Sequence, residues 1–213
     1  MPKLKTFLRE YRSFLLFLGL IMVFRTGYAD WSPVPTSSME PTIYPGDVVW
    51  IDKTAYGPSL PFLNKRLFTW GLPERGDVIT LIPPHEDTLY VKRVIGLAGD
   101  TVRIEGNTIE VNGMRLEQGV VEQRADAVLG VETIAGRQHA FKLSTVRGIP
   151  YIGETITVPA GKLFVMGDFR NNSADSRYWG FVDASNVMGK VTAVAVSIAD
   201  ERSGLGRVAV PIH

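Results

Sequence analysis

Hydrophobic and polar positions along this 213-residue chain follow two regimes. From Phe14 to Phe24 eleven successive residues, FLLFLGLIMVF, carry no charge. Beyond Trp31 the apolar residues come in short groups or alternate with polar ones, which is the period of strands. Val48–Ile51 follows the turn Tyr44-Pro45-Gly46-Asp47 and predicts a strand. Asp77–Ile82, Leu89–Gly96, Thr155–Val158, Lys162–Met166 and a closing Lys190–Ile198 predict others. Thr101–Leu116 alternates about Gly106-Asn107 and Asn112-Gly113, a hairpin signal. Residues 53–73 hold Gly57, Pro58, Pro61, Gly71 and Pro73 and predict a loop. Residues 117–150 are mixed and polar and read as an inserted lobe or long hairpins. Without long helical periods or repeats, the expected fold is mainly β, with antiparallel sheets closed on each other. The length suits one well-buried domain with a smaller lobe.

The apolar run has its own meaning. Lys3, Lys5, Arg9 and Arg12 precede it, against the single acid Glu10. That asymmetry places residues 1–13 in the cytoplasm and the rest of the chain across the membrane. A spanning helix needs about 20 residues, so Thr26–Trp31 is expected to extend the segment, with Tyr28 and Trp31 as interfacial anchors. Three readings compete: a permanent anchor over 14–29, a signal peptide cut after Gly27-Tyr28-Ala29, and a buried helix of a soluble protein. The four cations argue against the last. The first two both export residues 30–213 and put Ser38, nine residues past Ala29, near the outer membrane surface.

Composition narrows the chemistry. A net charge of +1 gives no reason to expect nucleic acid. The chain has no cysteine, which excludes disulfides and a thiol nucleophile, and its histidines (His85, His139 and His213) lack a catalytic setting. No His/Asp/Glu cluster has metal-ligand spacing, so neither metal nor cofactor is expected. If the chain is a protease, a serine and a lysine are left as actors. Ser38 lies between Pro35 and Pro41, in a stretch expected to be extended, to expose its backbone and to pair with a substrate strand. The Ser38 N–H and the Thr36 hydroxyl would face a developing oxyanion. Strand alternation puts Lys92 on one face with Tyr90 and Val94, and Arg93 on the other with Val91 and Ile95. A lysine on an apolar face becomes a base when burial strips the water that stabilises its charge. Taken singly, a strand lysine or a Ser-Met pair is nearly always structural; the combination carries the reading. Trp179, Tyr178 and Phe181 are expected in the core, and His85, after two prolines, in an exposed loop. Gly96 and Gly99 are turn residues and not a phosphate cradle, since no helix follows them.

These residues match a family. Thr36-Ser37-Ser38-Met39-Glu40-Pro41-Thr42-Ile43 with Gly46-Asp47 resembles the serine box of bacterial type I signal peptidases. Arg75-Gly76-Asp77-Val78 is similar to the next box, and Tyr90-Val91-Lys92-Arg93-Val94-Ile95-Gly96 with Gly99-Asp100 to the lysine box. Gly167-Asp168 through Asn172-Ser173-Ala174-Asp175-Ser176-Arg177 to Val182 resembles the last box. The resemblance implies the signal-peptidase fold with one N-terminal transmembrane helix and a smaller β lobe at 102–158. It implies Ser38 as nucleophile, Lys92 as general base, Thr36 as oxyanion donor beside the Ser38 N–H, and Ser173 as the residue orienting the Lys92 amine. Asp168 would pair with Arg93, and Asp175 with Arg177. Val34, Pro35, Met39, Ile43, Tyr90 and Val91 would line shallow pockets for small residues one and three positions before the cut. Preproteins would be the substrates, membrane lipid and the Sec or Tat export machinery the neighbours, and a monomer on the outer face of the inner membrane the working form. The last box departs from the usual Gly-Asp-Asn-Arg-Asp-Asn-Ser: Phe169 replaces an Asn and Asn171 an Asp, which removes a carboxylate. Thr36 is often Ser. The departures mildly favour a specialised peptidase with one secretion or conjugation substrate as the alternative. A self-cleaving repressor lacks its DNA-binding domain here, and retention of Ser38, Lys92 and Ser173 together argues against an inactive scaffold.

Overall fold

The computed structural model describes residues 10–57, 68–148, 152–197 and 207–212. The expected tail at 1–9, residues 58–67 of the expected loop and His213 lie outside them. The helix α1 (Arg12–Gly27) leads into β1 (Ala29–Pro33), β2 (Asp47–Asp52), β3 (Val78–Leu81) and β4 (Tyr90–Gly96). Then come β5 (Thr101–Glu105), β6 (Thr108–Val111), β7 (Met114–Arg115), β8 (Glu117–Gln123), β9 (Ala127–Ile134), β10 (Arg137–Ser144) and β11 (Ile152–Thr157). The chain ends through β12 (Lys162–Met166), the one-turn helix α2 (Ser176–Trp179), β13 (Val182–Asp183), β14 (Val187–Ser197) and β15 (Val208–Pro211).

The fold is mainly β and antiparallel, as the alternation predicts. The main sheet runs β1-β2-β14-β3-β4-β12-β13, with β15 also on β14. β14 is its longest strand at eleven residues and pairs with β2, β3 and β15, shifting register along its length. The signal at Gly106-Asn107 and Asn112-Gly113 becomes two turns: β5–β6 and β6–β7 pair antiparallel, and Gly106, Asn112 and Gly113 all adopt positive φ. With β11 on its edge this makes a four-stranded sheet, whose core of Val102, Ile104, Ile109, Val111 and Val158 meets Ile95, Phe164 and Met166 of the main sheet. Residues 117–144 form a separate meander, β10-β9-β8.

Two expectations need correction. Ala29–Trp31 lies in a strand paired with Trp50–Asp52, so the expected apolar extension does not continue the helix. At 16 residues α1 rises about 24 Å, against a hydrocarbon core of about 30 Å. Among the described residues no helix is long and apolar enough to cross a membrane. Tyr178, expected in the core, is 64% exposed, because the single turn of α2 points it outward. Phe181, by contrast, packs edge-on against Phe164.

Candidate active site

β4 carries the site's two adjacent cations into the interior. It lies between β3 and β12, with Ile79 opposite Lys92 and Met166 opposite Arg93. Lys92 is 3% and Arg93 1% exposed. A buried cation needs a partner or must give up its proton, and the two residues meet that demand differently. The Arg93 guanidinium donates to both Asp168 carboxylate oxygens, at 2.9 and 2.8 Å, and to the Gly76 carbonyl at 2.8 Å. Burial pushes the Asp168 carboxyl up, but Arg93 and the Thr42 hydroxyl hold it below the usual carboxylate range. The Lys92 amine lies 2.9 Å from Ser38 Oγ, donates to the Val91 carbonyl at 2.9 Å, and sits 5.0 Å from the Tyr90 ring centre. These partners carry no formal charge. Burial lowers its pKa to about 8, and the Asp175 and Asp168 charges offset only part of that shift.

Ser38 reaches Lys92 from a turn rather than from an extended stretch. Val34 is pinned by its N–H to the Asp47 carbonyl and by the Gly46 N–H to its own carbonyl, both at 2.8 Å. Past Pro35 the chain turns inward: the Glu40 N–H donates to Ser37 and the Ile43 N–H to Met39, each at 3.0 Å. The expectation of an exposed extended backbone therefore ends near Thr36. The same turn corrects the pocket assignment. Met39 and Ile43 are 0% exposed and pack in a core with Val49, Ile51, Val78 and Val191, beneath the site rather than in its wall.

The cleft itself has a volume of about 400 Å³ and contains both Ser38 and Lys92. Val34, Pro35 and Thr36 line one wall, and Tyr90 and Val91 the other. The sequence reading missed Ser32, Leu89, Asn172 and Ala174 in this lining. Strand direction could have found two of them, since residues just before Val34 and Tyr90 continue the same two walls.

The last box forms the floor. Gly167 follows β12, and its N–H donates to Asp175 at 3.0 Å. Asp175 also takes two bonds from the Arg177 side chain, both at 2.7 Å. Ser173 is 7% exposed, but its Oγ makes no hydrogen bond among the described residues; the expected bond to the Lys92 amine is absent, and the Val91 carbonyl takes its place. Ser173 packs instead beside Gly167, where any side chain would overlap both the Ser173 hydroxyl and the Ser38 carbonyl. The Asn172 amide donates to Ser37 Oγ at 2.9 Å, a second link between box and nucleophile turn. The two departures are also accommodated. The Asn171 side chain accepts from the Ser144 N–H and donates to the Ser144 and Arg147 carbonyls, at 2.7–2.8 Å, so a neutral amide does here what a carboxylate could not. Phe169 is 8% exposed, and its N–H donates to the Ser38 carbonyl at 3.1 Å.

Comparisons with known proteins return one family. The family described as "Signal peptidase, peptidase S26" matches residues 7–196. A signal peptidase I of Pseudomonas aeruginosa is 35% identical over 210 residues, covering 91% of this chain and 74% of its own. One from Rickettsia massiliae is 33% identical, covering 87% of this chain and 78% of its own. Among solved structures, a signal peptidase I from Enterococcus faecalis is 29% identical over 57% of this chain and 98% of that one, at a TM-score of 0.39.

Proposed function

The chain belongs to the signal peptidase family S26, and from that membership we infer that it is a serine endopeptidase removing signal peptides from preproteins. The observation that supports a Ser38–Lys92 dyad is the 2.9 Å approach of a buried amine to the nucleophile hydroxyl. In its neutral form the Lys92 amine accepts the Ser38 proton as Oγ attacks the scissile carbonyl. The Ser38 N–H and the Thr36 hydroxyl stabilise the oxyanion. The Lys92 ammonium then protonates the leaving amine, which becomes the new N-terminus of the mature protein. A water, giving its proton to Lys92, hydrolyses the acyl-enzyme and frees the signal peptide. The narrow walls of Val34, Pro35, Tyr90 and Val91 favour small side chains flanking the cut, because larger ones clash. Arg93–Asp168 and Asp175–Arg177 hold the strand and the floor in register.

α1 serves as the membrane anchor in this reading. Leu16 (67% exposed) and Leu20 (69% exposed) present apolar surface with no protein cover, and cations precede the helix in sequence. Incubation of the purified chain with a preprotein tests the enzyme. Cleavage that Ser38→Ala and Lys92→Ala both abolish, with the fold retained, is expected; cleavage at the wild-type rate by either variant sinks the dyad. Extraction of membranes with alkaline carbonate tests the anchor, and release of the chain into the supernatant would refute it.

A further inference from the structure

Residues 117–150 hold none of the four boxes, yet β10 meets the active site at two points. Its main chain pairs with the last box: the Lys142 N–H donates to the Asp168 carbonyl and the Arg170 N–H to the Lys142 carbonyl, both at 2.9 Å. These bonds flank Phe169 in a parallel bridge and aim its N–H at the Ser38 carbonyl. The Lys142 side chain completes a second link. Its Nζ lies 2.6 Å from Glu40 Oε2, two residues past the nucleophile, and 4.6 Å from the Phe169 ring centre. Phe169 stands where the family pattern has Asn. An aromatic face attracts an ammonium, whereas an amide in its place would compete for the same protons.

The connections form a closed path. Ser38 is tied to Phe169, Phe169 adjoins Asp168, Asp168 grips Arg93, and Arg93 adjoins Lys92. The Lys142 side chain touches Phe169, a member of that path, and Glu40, which sits in the same turn as Ser38. An ordinary exposed ion pair of this kind contributes little to stability. Its side chains here are only 23% and 13% exposed, and the geometry it sets is that of the reacting atoms.

We propose that Lys142 is a positioning residue for signal-peptide cleavage: through Glu40 and the Phe169 ring it clamps the Ser38 turn onto the Gly167–Ser173 segment and so keeps Ser38 Oγ within reach of Lys92. The proposal rests on the dyad inferred above. It makes the lobe part of the catalytic apparatus and gives the Phe169 replacement a purpose.

Steady-state cleavage of a preprotein by the full chain tests it, with Lys142→Met, Lys142→Arg, Glu40→Gln, the double variant Lys142→Met/Glu40→Gln and the reversed pair Glu40→Lys/Lys142→Glu. Misplacing reacting atoms by about 1 Å costs up to about a hundredfold, so each neutral single variant is expected to lose about tenfold in kcat with KM within about twofold. The double variant should lose no more than either single one, because both break the same link. Lys142→Arg and the reversed pair, which keep a bridge, should recover most of kcat. Wild-type kcat in folded Glu40→Gln or Lys142→Met overturns the proposal, as do additive losses in the double variant. If Lys142→Met fails to fold, Glu40→Gln carries the test from the other end of the bridge. Failure of the dyad itself reads out separately, as unimpaired cleavage by Ser38→Ala.

Discussion

The two faces of β4 bury neighbouring cations by opposite means. Arg93 keeps its charge and is given a carboxylate; Lys92 is given a hydroxyl, a carbonyl and a ring, and its pKa falls to about 8. The guanidinium cannot be deprotonated at accessible pH, so its burial demands Asp168. An amine can escape by losing its proton, so burial with no carboxylate in contact lowers its pKa. One strand thereby holds a charge-paired cation and the base proposed above at successive positions, separated only by the alternation of its side chains.

The sharpest way to break this comparison is to remove the reactive member. Lys92→Met should lower kcat by about 10²- to 10⁴-fold, the range of a lost general base, while thermal unfolding shows the fold intact; a loss below about tenfold would contradict the assignment. Breaking the structural member should act through stability instead. Asp168→Asn leaves the Arg93 charge buried with a neutral partner, at a cost of about 3–5 kcal/mol, to be read from denaturant unfolding; an unchanged midpoint would mean that Arg93 finds another partner. Gly167→Ala pushes on Ser38 and Ser173 together and should cost about a hundredfold in kcat, along with about 1–3 kcal/mol of stability.

The smallest effect sharpens the contrast through pH. The lowered pKa of Lys92 makes kcat/KM rise about tenfold per pH unit below about 8 and level off above it. Stability follows the same sign. Between about 8 and the ordinary lysine value of 10.5 the folded chain binds fewer protons than the unfolded one. Wild-type stability relative to Lys92→Met should therefore rise with pH across that window. A flat difference would show that the amine keeps its ordinary pKa.

How much of this was legible beforehand differs from element to element. Short apolar runs bounded by turn residues located β2, β3, β4 and β12 to within a residue or so, because strands covered on both faces are apolar at nearly every position. Glycine and asparagine placed the turns at 106–107 and 112–113 because positive φ selects them. The turn at Ser38 was not legible: prolines at 35 and 41 forbid a helix but do not say that the chain folds inward between them. The family resemblance put Met39 and Ile43 in the pocket wall, and that inward fold buries both in the core beneath it. Ser173 adjoins Gly167 instead of bonding Lys92, a difference set by packing distances that sequence spacing does not contain. Residues 117–150 carried no recognisable pattern, since Lys142, Glu132 and Ser144 acquire meaning only opposite Glu40, Arg170 and Asn171.

The sequence alone determined the strand-rich class, the apolar segment ahead of it, and the four boxes that identify the chemistry. Those properties live in local period, composition and residue identity. The tertiary structure decided that Arg93 would meet a carboxylate in Asp168 while Lys92 was buried beside the neutral Ser38 hydroxyl and Val91 carbonyl. It also decided that the lobe would reach the nucleophile turn. Both outcomes depend on contacts between segments far apart in the chain, such as Lys142 with Glu40, 102 residues apart.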